Sequence, residues 1–194
     1  IGQEAGKTST TGSNFTAMGY QSLYSNTTGY YNVAIGRGSL YTNTTGHSTI
    51  SIGDYSMQNN TTGNENTAIG YSASRNNTTG DNNVSVGVNA LTTNTTGASS
   101  VAIGSNCLKL AVGIGYNTAI GSYSMSANTD GNKNVAIGVS SLLSNTTGNY
   151  NMASGAYAMQ SNTTASYNTA SGSESLKANT TGADNSAHGY KAMF

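Results

Sequence analysis

Gly19-Tyr-Gln-Ser-Leu-Tyr-Ser-Asn-Thr-Thr-Gly-Tyr-Tyr-Asn-Val-Ala-Ile35 is a unit of 17 residues, and the chain repeats it without insertion or deletion. Glycine stands at 2, 19, 36, 53 and at every seventeenth position thereafter to 189. A second column holds Gly12, Gly29, Gly46, Gly63, Gly80, Gly97, Gly131, Gly148 and Gly182, and only Ile114 and Ala165 depart from it. A fixed period of this length points to identical structural units stacked on one another.

Each column of the repeat has its own chemistry. Before the first glycine come Met18, Ile35, Ile52, Ile69, Val86, Ile103, Ile120 and Ile137. Two places earlier, Val33, Ile50, Val84, Val101, Val135 and Met152 alternate with threonines. Between these lies a column of alanine and serine only, from Ala17 to Ala187. Four places after the glycine stand Leu23, Leu40, Met57, Leu91, Leu108, Met125, Leu142, Met159, Leu176 and Met193, each preceded by Ser, Ala or Cys107. Apolar-small-apolar over Val33-Ala34-Ile35 has the period of two of a short β-strand, and its β-branched residues suit one. Asn-Thr-Thr-Gly is a turn signal, the glycine expected to supply a positive φ. Strand and turn at constant length predict an all-β parallel β-solenoid of 17 residues per coil and about 11 coils, forming one repeat domain over 1–194.

The pattern also predicts an inside and an outside. All fourteen charged residues avoid the apolar, small and glycine columns, so charge is assigned to the solvent side. The Val/Ile and Leu/Met columns are expected to form the interior. That gives about three large apolar side chains per coil, worth roughly 1.5–3 kcal/mol each. Ordering a coil costs on the order of 17–34 kcal/mol of backbone entropy, so ladder hydrogen bonds must contribute heavily. The Ala/Ser column would then point outward. A face kept that small suggests contact with a second copy of the chain.

Composition narrows the function. Charged residues make up 7% of the chain, against roughly 25% in an ordinary soluble domain. Seven acids balance seven bases, which leaves no electrostatic footprint for nucleic acid. No apolar run approaches the ~20 residues of a membrane span, so no membrane insertion is expected of this segment. Proline is absent, which argues against disorder. The chain starts at Ile1 in mid-repeat and is read as a fragment of a longer fibre.

Asn-Val-Ala-Ile-Gly followed by x-x-Ser-Leu resembles the head repeats of trimeric autotransporter adhesins of the YadA type. The longer unit with Asn-Thr-Thr-Gly is similar to repeats of phage and bacterial tail-fibre-like proteins. The likeness covers essentially the whole chain, although its 17-residue period is longer than that of the adhesin heads. It implies a left-handed β-roll, a homo-oligomer with a trimer favoured, and an extracellular, cell-surface or virion location. It also implies a host-surface glycan or protein as receptor. A self-assembling filament and an ice- or polysaccharide-binding solenoid are the alternatives.

Individual residues offer sharper readings, each beside a plainer one. Asn26, Asn43, Asn60, Asn77, Asn94, Asn145, Asn162 and Asn179 head Asn-Thr-Thr sequons and are possible glycosylation sites. The same asparagines would equally form a ladder of amides from coil to coil. His188 falls in an apolar column, where it is either an ion ligand on an oligomer axis or a tolerated polar replacement. Cys107, in a small-residue column, reads as a packed thiol or as an interchain bridge. Thirteen tyrosines scatter over outward columns and suit glycan, protein or fibre contacts. The stretch 104–115 alone breaks the motif, with Ala111-Val-Gly-Ile114 in place of the turn. Catalysis needs a few residues placed once, and here special residues recur or stand alone. No enzyme activity, cofactor or metal is expected.

Overall fold

The computed structural model describes residues 2–194. Eleven three-residue strands recur every 17 residues, from β1 (Thr16–Met18) and β2 (Val33–Ile35) to β10 (Thr169–Ser171) and β11 (Ser186–His188). They form one parallel sheet in sequence order. Thr16, Ala17 and Met18 lie against Val33, Ala34 and Ile35, and the same register holds up to the pairing of β10 with β11. The protein is therefore an all-β parallel β-solenoid with one strand per coil. At the usual strand spacing the stack from β1 to β11 is about 48 Å long.

The rungs extend well beyond the strands. The Leu23 N–H donates to Ser39 O (2.9 Å) and the Ser25 N–H to Tyr41 O (2.9 Å), one coil further on. At the turn, the N–H groups of Thr27, Thr28 and Gly29 converge on Thr44 O at 3.0, 3.1 and 3.2 Å. This dense ladder satisfies the backbone of a chain with little apolar bulk.

The first glycine column is required by close approach. Gly36 has φ +125°, and a Cβ there would sit 2.5 Å from the carbonyl of Gly53. The second column differs from the sequence reading. Gly29, Gly46 and Gly63 are not in the left-handed region. Crowding excludes a side chain instead: a Cβ on Gly63 would lie 2.5 Å from Asn60 Oδ1 and 2.6 Å from Gly80 O. Left-handed backbone falls elsewhere, at three largely non-glycine positions of each coil, such as Gln21 (φ 53°), Leu23 (φ 52°) and Tyr31 (φ 55°). These reverse the chain direction and cost roughly 1–2 kcal/mol each, which the surrounding ladder must offset.

The largest correction concerns inside and outside. Ala34, Ala68, Ala102, Ala119, Ala136 and Ala153 are fully buried, as are Ser51 and Ser85. The flanking Val and Ile residues face outward, and Ile50, Ile69, Ile103, Ile120 and Ile137 are exposed. The cause is the thickness of the coil. The Ser39 hydroxyl spans the interior to the strand opposite, reaching Ser51 O at 2.9 Å and Ser51 Oγ at 2.8 Å. Ser124 reaches Ala136 O at 3.1 Å, and the Cys107 thiol reaches Ala119 O at 3.2 Å. One small side chain fills the gap, so isoleucine has no room there. Apart from Ile114, the Leu/Met column supplies the large buried apolar side chains of the interior, about one per coil instead of the expected three.

That column has one break. Ser74 takes the Leu/Met place and donates to Ser85 Oγ at 2.9 Å. The apolar interior is accordingly divided into a cluster running from Leu23 to Ala73 and another from Ala90 to Ala187. Ser74 shares the backbone conformation of its column (φ 46°, against 44° at Met57 and 53° at Leu91). Ser74→Leu should therefore join the clusters and stabilise the fold by roughly 1–2 kcal/mol. A urea midpoint that stays put or falls would show the site to be closed to a larger side chain.

Candidate interaction surface

No pocket indents the described residues, and no group of three or more metal-ligating side chains occurs among them. Among the described residues, no helix is long and apolar enough to cross a membrane. The surfaces that recur along the stack are the outer strand face, a polar ridge at the turns, and a scatter of aromatic side chains.

The outer strand face is built by the columns on either side of the buried alanines. It carries no Asp, Glu, Lys or Arg from Thr16 to His188. One of its two columns is unbroken Met, Ile or Val from Met18 to Ile137, about 34 Å at strand spacing. Exposure along it is substantial, 47% at Met18 and 42% at Ile137. Beyond that point the column turns polar at Ser154, Ser171 and His188. Contiguous uncharged apolar surface of this length is what monomeric proteins seldom leave open.

His188 lies on this face, not in the interior. It is exposed, with Nε2 3.3 Å from Ser186 Oγ. His47 instead stacks on Tyr30, ring centroids 4.7 Å apart. The structure does not bring the two histidines together.

At the turns, the eight sequon asparagines form an inward ladder. Asn43 Nδ2 donates to Asn26 Oδ1 (2.9 Å) and to Gly46 O (3.0 Å). Asn60 and Asn77 repeat this on the coils beyond. Asn26, Asn43, Asn60, Asn77, Asn94, Asn145 and Asn162 are buried to within 1%, while Asn179 is half-buried and still donates to Gly182 O at 2.9 Å. A glycan would have to attach to the nitrogen that makes these bonds. A second ladder, which the sequence reading passed over, runs through Asn32, Asn66, Asn83, Asn117, Asn134, Asn151 and Asn168. Asn66 Nδ2 donates to Gly80 O at 2.8 Å, and its Oδ1 accepts the Asn83 N–H at 2.9 Å. The signal was present in the sequence as a near-constant asparagine just before each strand. With both ladders formed, no buried side-chain nitrogen or oxygen lacks a partner among the described residues.

The threonines divide as adjacent residues should. Thr27 is turned to the backbone, its hydroxyl donating to Thr44 O at 3.0 Å. Thr28, Thr45, Thr62, Thr79 and Thr96 are exposed and form a single file along the ridge.

Ala111 interrupts the first ladder. Asn94 Oδ1 accepts the Gly97 N–H (3.1 Å) instead of the next amide, and Asn128 donates only to Gly131 O (2.9 Å). Beside it, Leu110 and Val112 are exposed at 45% and 52%. Cys107 is buried in the same coil, four positions before this break. Loss of water around the thiol pushes it up from its ordinary 9.0 to about 12, outweighing a backbone hydrogen bond from Ile103 that lowers it.

Comparison with protein-family models, with curated proteins and with solved structures finds no match for this chain. The class defined by the fold is that of β-solenoid repeat proteins.

Two expectations follow. Asn60→Ala should cost roughly 2–4 kcal/mol, because a buried carbonyl and a neighbouring amide lose their partners. Ala111→Asn should instead stabilise by about 1 kcal/mol by linking the two ladder segments. Equal small effects in denaturant unfolding would show that the ladder contributes nothing. For Cys107 the raised folded value means that its contribution to stability is intact below about pH 9 and is lost as pH rises from 9.0 towards about 12. Alkaline unfolding of wild type should accordingly begin at lower pH than that of Cys107→Ala. Thiol reagents should label the native chain only as fast as it opens.

Proposed function

We propose that this chain is a non-catalytic structural segment of an extracellular or virion fibre, whose copies lie side by side through their outer strand faces. The observation that carries this reading is the uncharged Met/Ile/Val column from Met18 to Ile137, exposed at Met18, Ile69, Ile103, Ile120 and Ile137 and half-buried at Ile35, Ile52 and Val86. Burying it against the same column of other copies would remove apolar surface from water at about 25 cal/mol per Å². The short strands, in uniform register, allow identical faces to pack continuously. A trimer places three such faces around one axis and agrees with the resemblance to adhesin and tail-fibre repeats. The turns and aromatic residues then form the outer surface, where a glycan or protein receptor would be met. The adjacent-coil geometry gives such a fibre reach without any large core.

Light scattering tests the assembly. The expected mass is three times 19.7 kDa. Ile69→Lys combined with Ile103→Lys, on exposed side chains, should yield a monomer with an unchanged circular dichroism spectrum. A wild-type monomer would sink lateral association, and open-ended polymers would favour a filament. Inhibition of ice recrystallisation by the wild type, lost on Thr62→Val and Thr79→Val, would move the reading to an ice-binding ridge.

A further inference from the structure

The 17-residue register places like side chains beside one another on neighbouring coils, and in two places these are tyrosines. Tyr24 and Tyr41 stack with centroids 5.1 Å apart and planes 12° apart. Tyr150 and Tyr167 stack at 5.2 Å and 7°. The first pair is half-buried, whereas Tyr150 and Tyr167 are exposed at 48% and 60%. Their main chains are fixed: the Tyr150 N–H donates to Asn132 O (3.2 Å) and the Tyr167 N–H to Asn149 O (3.1 Å). On the far side of Tyr150, Lys133 Nζ donates to its hydroxyl oxygen at 3.0 Å.

The rest of the chain leaves tyrosine as the principal site of one-electron oxidation. There is no tryptophan, and the one cysteine is buried. An oxidising equivalent delivered to the surface therefore ends on a phenol. Two further tyrosine pairs, Tyr30–Tyr31 and Tyr55–Tyr71, meet edge to face at 5.2 Å and 6.3 Å, with planes 78° and 83° apart; at Tyr150 and Tyr167 two exposed rings already lie parallel, one over the other.

We propose that Tyr150 and Tyr167 are a site of oxidative coupling, at which a peroxide acting through a haem peroxidase joins the two rings into a dityrosine. Each phenol gives up one electron and its hydroxyl proton. The two phenoxyl radicals form a carbon–carbon bond between the positions ortho to their oxygens. The hydrogens on those carbons then return to the oxygens as both rings become aromatic again. The net loss is two electrons and two protons, which reduce one hydrogen peroxide to two waters. The product is a covalent rung between successive coils, closing a loop of 17 residues on the surface of the stack. Such a loop restricts the unfolded chain as a disulfide would. Because the bond lies within one chain, it does not depend on lateral association.

The test is treatment of the folded protein with peroxidase and hydrogen peroxide, followed by dityrosine fluorescence and peptide mapping. The expected product is a chain lighter by two hydrogen atoms, with residues 150 and 167 cross-linked and the unfolding temperature raised. Tyr167→Phe should lose most of the fluorescence. Tyr116→Phe, at an exposed tyrosine without a stacked partner, should keep it, and Lys133→Tyr should add to it. Mixing isotopically heavy and light chains separates intrachain from interchain bonds. The proposal is overturned by absence of dityrosine, by bonds that join only different chains, or by an equal yield of the same bond in urea-unfolded protein.

Discussion

Every coil lies on the next with the same residue over the same residue, about 4.8 Å away. That stacking governs what each column is able to hold. Two like charges at this spacing repel by roughly 1 kcal/mol even in water, and the penalty would recur on every rung. The sequence obeys the rule throughout. None of its fourteen charged residues has a like charge 17 positions away. Opposite charges do meet in this way: Arg37 pairs with Asp54 at 3.3 Å, and Glu174 and Lys191 occupy successive coils. Asparagine avoids the problem altogether, because an amide carries a donor and an acceptor and bonds to its own copy. Low charge and abundant asparagine are thus two results of one geometry.

The second governing dimension is the thickness of the coil. A serine hydroxyl crosses it, as the 2.8 Å contact between Ser39 and Ser51 shows. An interior this thin buries little apolar area, so its stability has to rest on hydrogen bonds that are individually modest and many in number. It also leaves the larger strand side chains nowhere to go but out. The exposed Ile/Val face is therefore a consequence of packing within one chain before it is anything else.

This explains what the sequence disclosed and what it concealed. The glycine spacing gave away the coil length, and Val33-Ala34-Ile35 gave away the strand. Alternation, however, separates two faces without saying which is inner. The expectation followed the usual rule that isoleucine is buried and alanine is not informative. The deciding clue lay in a second column: Ser22, Ser39, Ser56, Ala73, Ala90 and Cys107 are also uniformly small. Two small columns facing each other imply a narrow interior, whereas one alone does not. The left-handed residues were invisible for another reason. Leu23, Tyr31 and Gln21 are poor markers of positive φ, and the strain is sustained by neighbouring coils that share it. The turn glycines misled in the opposite sense, since crowding against Asn60 Oδ1, and not φ, excludes a side chain at Gly63.

The columns also differ in how freely they vary, and this bears on the fibre reading. The interior columns vary little: Ser74 breaks the Leu/Met column, Ala111 the first asparagine ladder, Thr49 and Ser100 the second, and Ile114 stands in a glycine column. The aromatic and charged columns change from coil to coil. The outer strand face stands between these extremes: up to Met152 it varies among Met, Ile, Val and Thr and beyond that takes Ser, Thr and His, yet it holds no Asp, Glu, Lys or Arg. Solvent alone would not impose that, because an exposed strand position tolerates lysine or glutamate readily. A face barred to charge but indifferent to shape is what a shared apolar axis requires. The change to Ser154, Ser171 and His188 then marks where that requirement relaxes, so lateral contact on this reading is tightest over the coils from Met18 to Ile137 and loosens towards β11.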